Sequence, residues 1–240
     1  MFAVDELDFR LEPQPWRFPQ THAAEIAEFW AAAVREKPAL FNGPVLLLAR
    51  RAFERRPDGA LRLTGVFFET DYAAFVAWKA FGYPGEAVEN AFSMAALRSA
   101  DGAFLLGEMA PETYNAGQIY FPAGTPDRDD VFGTRVDLDA SARRELSEET
   151  GLDASETVVA QGWTVILAPG KLAAMKLMTL PLPAAAAKIR LDALLPRGEH
   201  AEFSRIHVVL EPSDIDPERT PSFVAAYMRA EFAKAQSEVG

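Results

Sequence analysis

The chain contains no cysteine. Disulfides, thiol nucleophiles and Cys-ligated zinc or iron–sulfur sites are thereby excluded. Positive charge is scarce: 24 Lys and Arg stand against 35 Asp and Glu, for a formal net charge of -11 and a pI of about 4.8. A surface of that sign repels phosphate backbones and anionic headgroups, so neither duplex nucleic acid nor membrane is an expected partner. A small anionic substrate stays admissible where metal ions or a local basic patch supply the counter-charge. The three histidines, His22, His200 and His207, are too scattered for a recognisable metal set. No apolar run approaches the roughly 18 to 20 residues of a membrane span. The first residues, MFAVDELDFRLEP, carry acids and no apolar segment of the kind a secretory signal has. A cytoplasmic location is the expectation. No nucleophile-elbow motif supports serine catalysis. Gly170-Lys171 is not a P-loop, because it lacks the upstream glycine and the following Ser or Thr.

What is present is ordinary globular material. The chain has 240 residues, 49% of them hydrophobic and 25% charged, enough for one large domain or one domain with an extension. Residues 1–12 read as an extended arm. Thr21 is the expected cap of a helix to about residue 36, with Ile26, Phe29, Trp30 and Ala33 as its apolar stripe. Strands are expected at 43–50 and 60–69, and a helix at 72–81 behind the caps Thr70 and Asp71. A change of character near Gly82-Tyr83-Pro84-Gly85 divides the chain into an N-terminal extension, 1–85, and a main domain, 86–240. There the pattern predicts strands at 90–97, 102–108 and 117–121, a loop at 122–136 and a helix at 139–150. Strands at 157–167 and 171–181, a helix at 183–194, a strand at 204–210 and a helix at 220–236 follow. Interleaved strands and helices indicate a mixed sheet covered on both faces, an α/β (α+β) architecture.

The informative stretch is Arg144-Glu145-Leu146-Ser147-Glu148-Glu149-Thr150-Gly151-Leu152. Asp139 is the expected N-cap, Ala142 and Leu146 lie one turn apart, and Gly151 stands where a left-handed C-cap is wanted. On a helix Glu145, Glu148 and Glu149 fall within an arc of roughly 100°. Like charges so spaced disfavour the helix. A hard divalent cation removes that cost, since Mg²⁺ prefers oxygen ligands together with waters and substrate phosphates. Arg144 stands four residues before Glu148 and is placed to hold it. Singly, each glutamate is more often solvated surface than ligand. The whole string should arise by chance in on the order of one chain in 10⁵ of this length.

That string resembles the second half of the Nudix box, G-x5-E-x7-R-E-U-x-E-E-x-G-U with U aliphatic. The resemblance implies an α/β/α sandwich and a hydrolase acting on nucleoside diphosphates linked to a further moiety, with Mg²⁺, or Mn²⁺, as cofactor. It also assigns residues. Arg144 takes the orienting arginine position, Glu145, Glu148 and Glu149 the acidic metal and catalytic positions, and Leu146 and Leu152 the packing positions. In relatives the general base comes from the box helix or from a later loop, where Glu199 and Glu202 are the candidates here. Phe121-Pro122-Ala123-Gly124 is similar to the F-P-G-G that often opens the box. From there to Arg144 the chain is six residues longer than the pattern. Counting back from Arg144 puts Val136 at the first glutamate position, with Asp137 as its replacement after a one-residue slip.

Gly124, Phe121 and Arg50 are the candidate substrate contacts, Phe121 by stacking and Arg50 through a basic cluster with Arg51, Arg55 and Arg56. For Phe121 core packing, and for Arg50 simple exposure, is the competing reading. The segment 39–43, Ala-Leu-Phe-Asn-Gly, and Trp78-Lys79 are faintly similar to UDP-sugar-cleaving Nudix relatives, which ranks a nucleotide sugar or ADP-ribose-like compound first. Extensions ahead of such domains often make homodimers. The alternative from another class is a non-catalytic module that binds a nucleotide as a sensor. A diphosphate isomerase on the same fold would want a cysteine.

Overall fold

The structure, a computed structural model, describes residues 1–38, 40–85, 88–198 and 201–238. Strands β1 (Phe2–Val4) and β2 (Glu6–Leu11) are followed by the one-turn helix α1 (Phe18–Thr21) and helix α2 (Ala23–Glu36). Next come β3 (Pro44–Arg55), β4 (Leu61–Asp71) and α3 (Tyr72–Ala80). The hairpin β5 (Asn90–Ser99) and β6 (Phe104–Met109) leads to the short strands β7 (Ile119–Tyr120), β8 (Ala123–Gly124), β9 (Val131–Phe132) and β10 (Arg135–Val136). Helix α4 (Leu138–Thr150) precedes β11 (Val158–Val159), β12 (Trp163–Ala168), β13 (Lys171–Leu180), α5 (Ala184–Leu194), β14 (Phe203–Val209) and α6 (Ser222–Glu238).

The larger sheet runs β1-β12-β13-β5-β6-β14, with β5 and β13 parallel and the other neighbours antiparallel. Successive strand residues face opposite sides. On β5, Ala95 and Leu97 meet Ala142 and Leu146 of α4 and Leu191 of α5. Met94 and Ala96 meet Val224, Tyr227 and Met228 of α6. Helices therefore cover both faces, which is why β5 is buried almost along its whole length instead of alternating. This is the expected α/β/α sandwich with a mixed sheet.

The smaller sheet, β3-β4-β2-β10-β9, is built largely from the N-terminal portion, but β9 and β10 come from the lengthened loop ahead of α4. They form a hairpin about Gly133, and β10 pairs with β2 through Val136 and Phe9. The segment read as an arm is thus two strands: β2 lies parallel to β4, and β1 closes the edge of the larger sheet on β12. Phe9, Leu46, Leu48, Leu63 and Phe67 share one core with Leu172, Ala174 and Val165 of the other sheet. Phe67 is wholly buried there. Its replacement by Ala is expected to cost about 3–5 kcal/mol, seen as a lower denaturant midpoint.

Three caps differ from expectation. Thr21 does not cap α2; its hydroxyl donates backward to the Arg17 carbonyl at 3.1 Å because α1 ends there. Asp137, not Asp139, caps α4, accepting from the backbone N–H of Asp139 (3.0 Å) and Ala140 (3.1 Å). Of the two candidates ahead of α3, Asp71 does the capping, at 2.9 Å from Ala74 N. Gly151 ends α4 at φ +72°, and a Cβ there would also come 2.5 Å from the Leu194 carbonyl oxygen. Gly151→Ala is expected to destabilise the fold by about 1–3 kcal/mol, measurable by urea unfolding.

Candidate active site

Helix α4 carries the stripe Leu138, Ala142 and Leu146, all buried. Its four-residue spacing sets one face of the helix against the sheet. Glu145 and Glu149 flank that stripe and are drawn inward with it, to 8% and 2% exposure. Glu148 falls on the outer side, its side chain 58% exposed. The box glutamates are thus split, two in and one out.

Strand β8 closes over the two inner carboxylates. Ala123 N donates to Glu149 Oε2 at 3.2 Å. Gly124 lies so tightly on Glu145 that a Cβ there would overlap Oε1. Burial, joined by Glu148, Glu202 and Asp130, pushes Glu145 up to about 7 against the lowering pull of Arg144. Burial drives Glu149 well above the usual carboxylate range, and Glu202 and Glu145 add to it. Glu202 thus lies near enough to act on the Glu149 carboxyl group. Glu202, one of the two later-loop candidates, is therefore brought to the box helix. Glu199 lies outside the described residues.

Arg144 ties the acids together. Its guanidinium reaches Glu145 Oε1 at 3.0 Å, Glu148 Oε2 at 2.8 Å and Asp130 Oδ2 at 3.0 Å. Asp130 is 1% exposed and is the partner that backward counting missed. Val136 is a core residue beside Phe9, and Asp137 is the helix cap, so neither fills the first acidic position. Forward counting finds it: five residues separate Gly124 from Asp130, as the pattern asks. The six extra residues come afterwards, in the β9–β10 region.

A cavity of about 540 Å³ opens beside Gly124 and Glu202. Tyr72, Phe75 and Lys79 of α3 form one wall, Asn90 and Phe92 of β5 and Lys171 of β13 line it further, and Phe223 stands at the start of α6. Lys79 Nζ sits 4.5 Å from the ring centre of Tyr114 and 5.8 Å from that of Phe75. Burial, with Lys171 adding a like charge, lowers its pKa to about 8. An unfolded lysine holds its proton to 10.5, so between those values the unfolded chain binds more protons and stability should rise with pH. Lys79→Met is expected to remove that rise, with Tyr114 and Lys171 as the facing titratable groups; urea midpoints at pH 7.5 and 9.5 check it.

The other sequence candidates lie elsewhere. Phe121 is fully buried between Phe104 and Tyr227, with no face left for a ligand. Arg50 pairs with Glu12 at 3.1 Å, in a groove with Arg10 and Arg51 distinct from the main cavity. His207 meets Glu108 at 2.7 Å. Among the described residues no three acidic or histidine side chains form a ready cation cage, and no helix is long and apolar enough to cross a membrane.

No protein-family model and no curated protein matches the sequence. Solved structures similar to the chain include the MutT protein from Methanosarcina mazei Go1, at 16% identity and a TM-score of 0.40 over 61% of this chain and 95% of that one. The Nudix hydrolase RenU from M. smegmatis aligns at 19% identity and a TM-score of 0.41, over 61% of this chain and 87% of that one. A C. elegans Ap4A hydrolase aligns at 16% identity and 0.42, over 62% and 97%.

Proposed function

We propose that this chain is a divalent-metal-dependent hydrolase of the Nudix type, cleaving the diphosphate bond of a small nucleoside-diphosphate-linked substrate. The observation that carries this reading is the pair of buried carboxylates, Glu145 and Glu149, held directly behind Ala123 and Gly124, which with Glu202 line the neighbouring cavity. Buried carboxylates that raise one another's pKa are costly in isolation and mark sites that work on charge. The set fits a hard divalent cation, because its donors are all oxygen and their mutual repulsion is what such an ion removes. Glu145, Glu148 and Glu149 would hold Mg²⁺, or Mn²⁺, with Glu202 beside them. When bound, the ion offsets charge gathering on the diphosphate oxygens.

The chain's own residues supply the rest. Arg144, anchored on buried Asp130, fixes the directions of Glu145 and Glu148. Gly124 leaves room for the Glu145 carboxylate, and the Ala123 N–H orients Glu149. Glu202, which lines the cavity, would take the proton of the attacking water. The cavity holds the moiety beyond the diphosphate, with aromatic rings and the Asn90 amide suited to the hydroxyls and ring faces of a nucleotide sugar or an ADP-ribose-like compound. A net charge of -11 supports a small substrate rather than a nucleic acid.

Release of phosphorylated product from a panel of nucleotide sugars, ADP-ribose and dinucleoside polyphosphates, with Mg²⁺ and with EDTA, tests the reading. Metal-dependent turnover of at least one member is expected, while binding without turnover of any would point to a sensor. Gly124→Ala, by displacing the Glu145 carboxylate, is expected to lower kcat by about 10²-fold in the same assay.

A further inference from the structure

The cavity beside the acidic edge carries two cations of its own. Lys79 projects from α3 of the N-terminal portion and Lys171 from the first position of β13, and both line the same space. Tyr72, Phe75 and Lys79 follow one another at three- and four-residue spacing, so α3 turns a single face to the cavity. Lys171 Nζ lies 5.7 Å from the ring centre of Phe223, as Lys79 Nζ lies 4.5 Å from that of Tyr114. Among the described residues neither ammonium has a carboxylate partner, whereas Lys176, Lys188 and Lys234 each have one. Two partly buried like charges set against ring faces, in a strongly acidic chain, leave a local demand for an anion.

We propose that Lys79 and Lys171 form an anion subsite that holds a phosphate group of the substrate, so that the N-terminal portion completes the substrate pocket. The proposal deepens the hydrolase reading and rests on it for the identity of the phosphate's owner. The depressed Lys79 pKa agrees with a cation that lacks its counter-charge. Lys79 and Lys171 contact the bound anion and leave the acidic residues of α4 untouched, so their role is affinity for the diphosphate and not chemistry.

The test uses the full chain in EDTA, with inorganic pyrophosphate as the calorimetric probe. Lys79→Met and Lys171→Met are each expected to weaken pyrophosphate binding by about tenfold or more, the loss of one charge-assisted contact. Lys79→Arg should stay within a few-fold of the parent. Thermal melts of all variants establish folding, and Lys171, at a strand end, keeps the test valid if Lys79→Met unfolds. On a turned-over substrate the Met variants should raise KM with kcat little changed. Pyrophosphate affinity indifferent to both lysines, in a parent that hydrolyses diphosphates, overturns the subsite and leaves the hydrolase reading standing. Lysine-dependent binding in a parent that turns over no diphosphate upholds the subsite and overturns the hydrolase reading.

Discussion

Glu149→Gln is expected to lower kcat by about 10²–10⁴-fold and to leave the fold intact. The side chain is 2% exposed, accepts a bond from Ala123 N and faces both Glu145 and Glu202. Gln keeps the volume and an acceptor oxygen for Ala123. It removes the charge on which cation binding depends. Because the native site crowds like charges in a desolvated place, the variant should melt at the same temperature or higher, the usual sign of a residue kept for activity at a cost in stability. Parallel turnover and thermal melts decide the matter. Full activity in a stable Glu149→Gln protein would mean that the inner carboxylate is structural.

The second large effect concerns Asp130. Removing one member of a buried ion pair strands the other, at about 3–5 kcal/mol; with the Arg144 side chain 28% exposed, Asp130→Ala should fall toward the lower end. Activity should fall as well, because a guanidinium released from Asp130 no longer directs Glu145 and Glu148. Asp130→Glu, which keeps a carboxylate for Arg144, should retain most of both. The double variant Asp130→Asn/Arg144→Gln should be less unstable than the sum of the single losses, as contacting partners are. Additive losses in urea unfolding would show that the two side chains act apart.

How far the sequence could be read depended on whether the signal was local. Helix α4 was legible because its apolar stripe repeats at helical spacing and Gly151 punctuates its end. The acidic positions followed from that helix. Asp130 was hidden by the direction of counting, since the inserted residues lie between it and Arg144, where they fold as β9 and β10. Strands β1 and β2 were hidden for a different reason. Each pairs with a partner far along the chain, β12 for one and β4 and β10 for the other, and no turn signal announces such pairing. These pairings also cross position 85, so the two sequence portions share sheets and a core. Glu202 was a loop glutamate among others until β14 brought it to Glu149. Lys79 and Lys171 gave no sequence signal as a pair, because only the fold brings α3 and the start of β13 to one cavity.

The most direct measurement is an anomalous difference map from crystals soaked in Mn²⁺, a stand-in with the same preference for oxygen ligands. A peak bounded by the carboxylates of Glu145 and Glu149, with Glu148 or Glu202 turned toward it, and its loss in Glu149→Gln crystals, is the expected result. Saturating Mn²⁺ with no peak at that edge, and both inner glutamates still held only by Arg144 and Ala123, would contradict it.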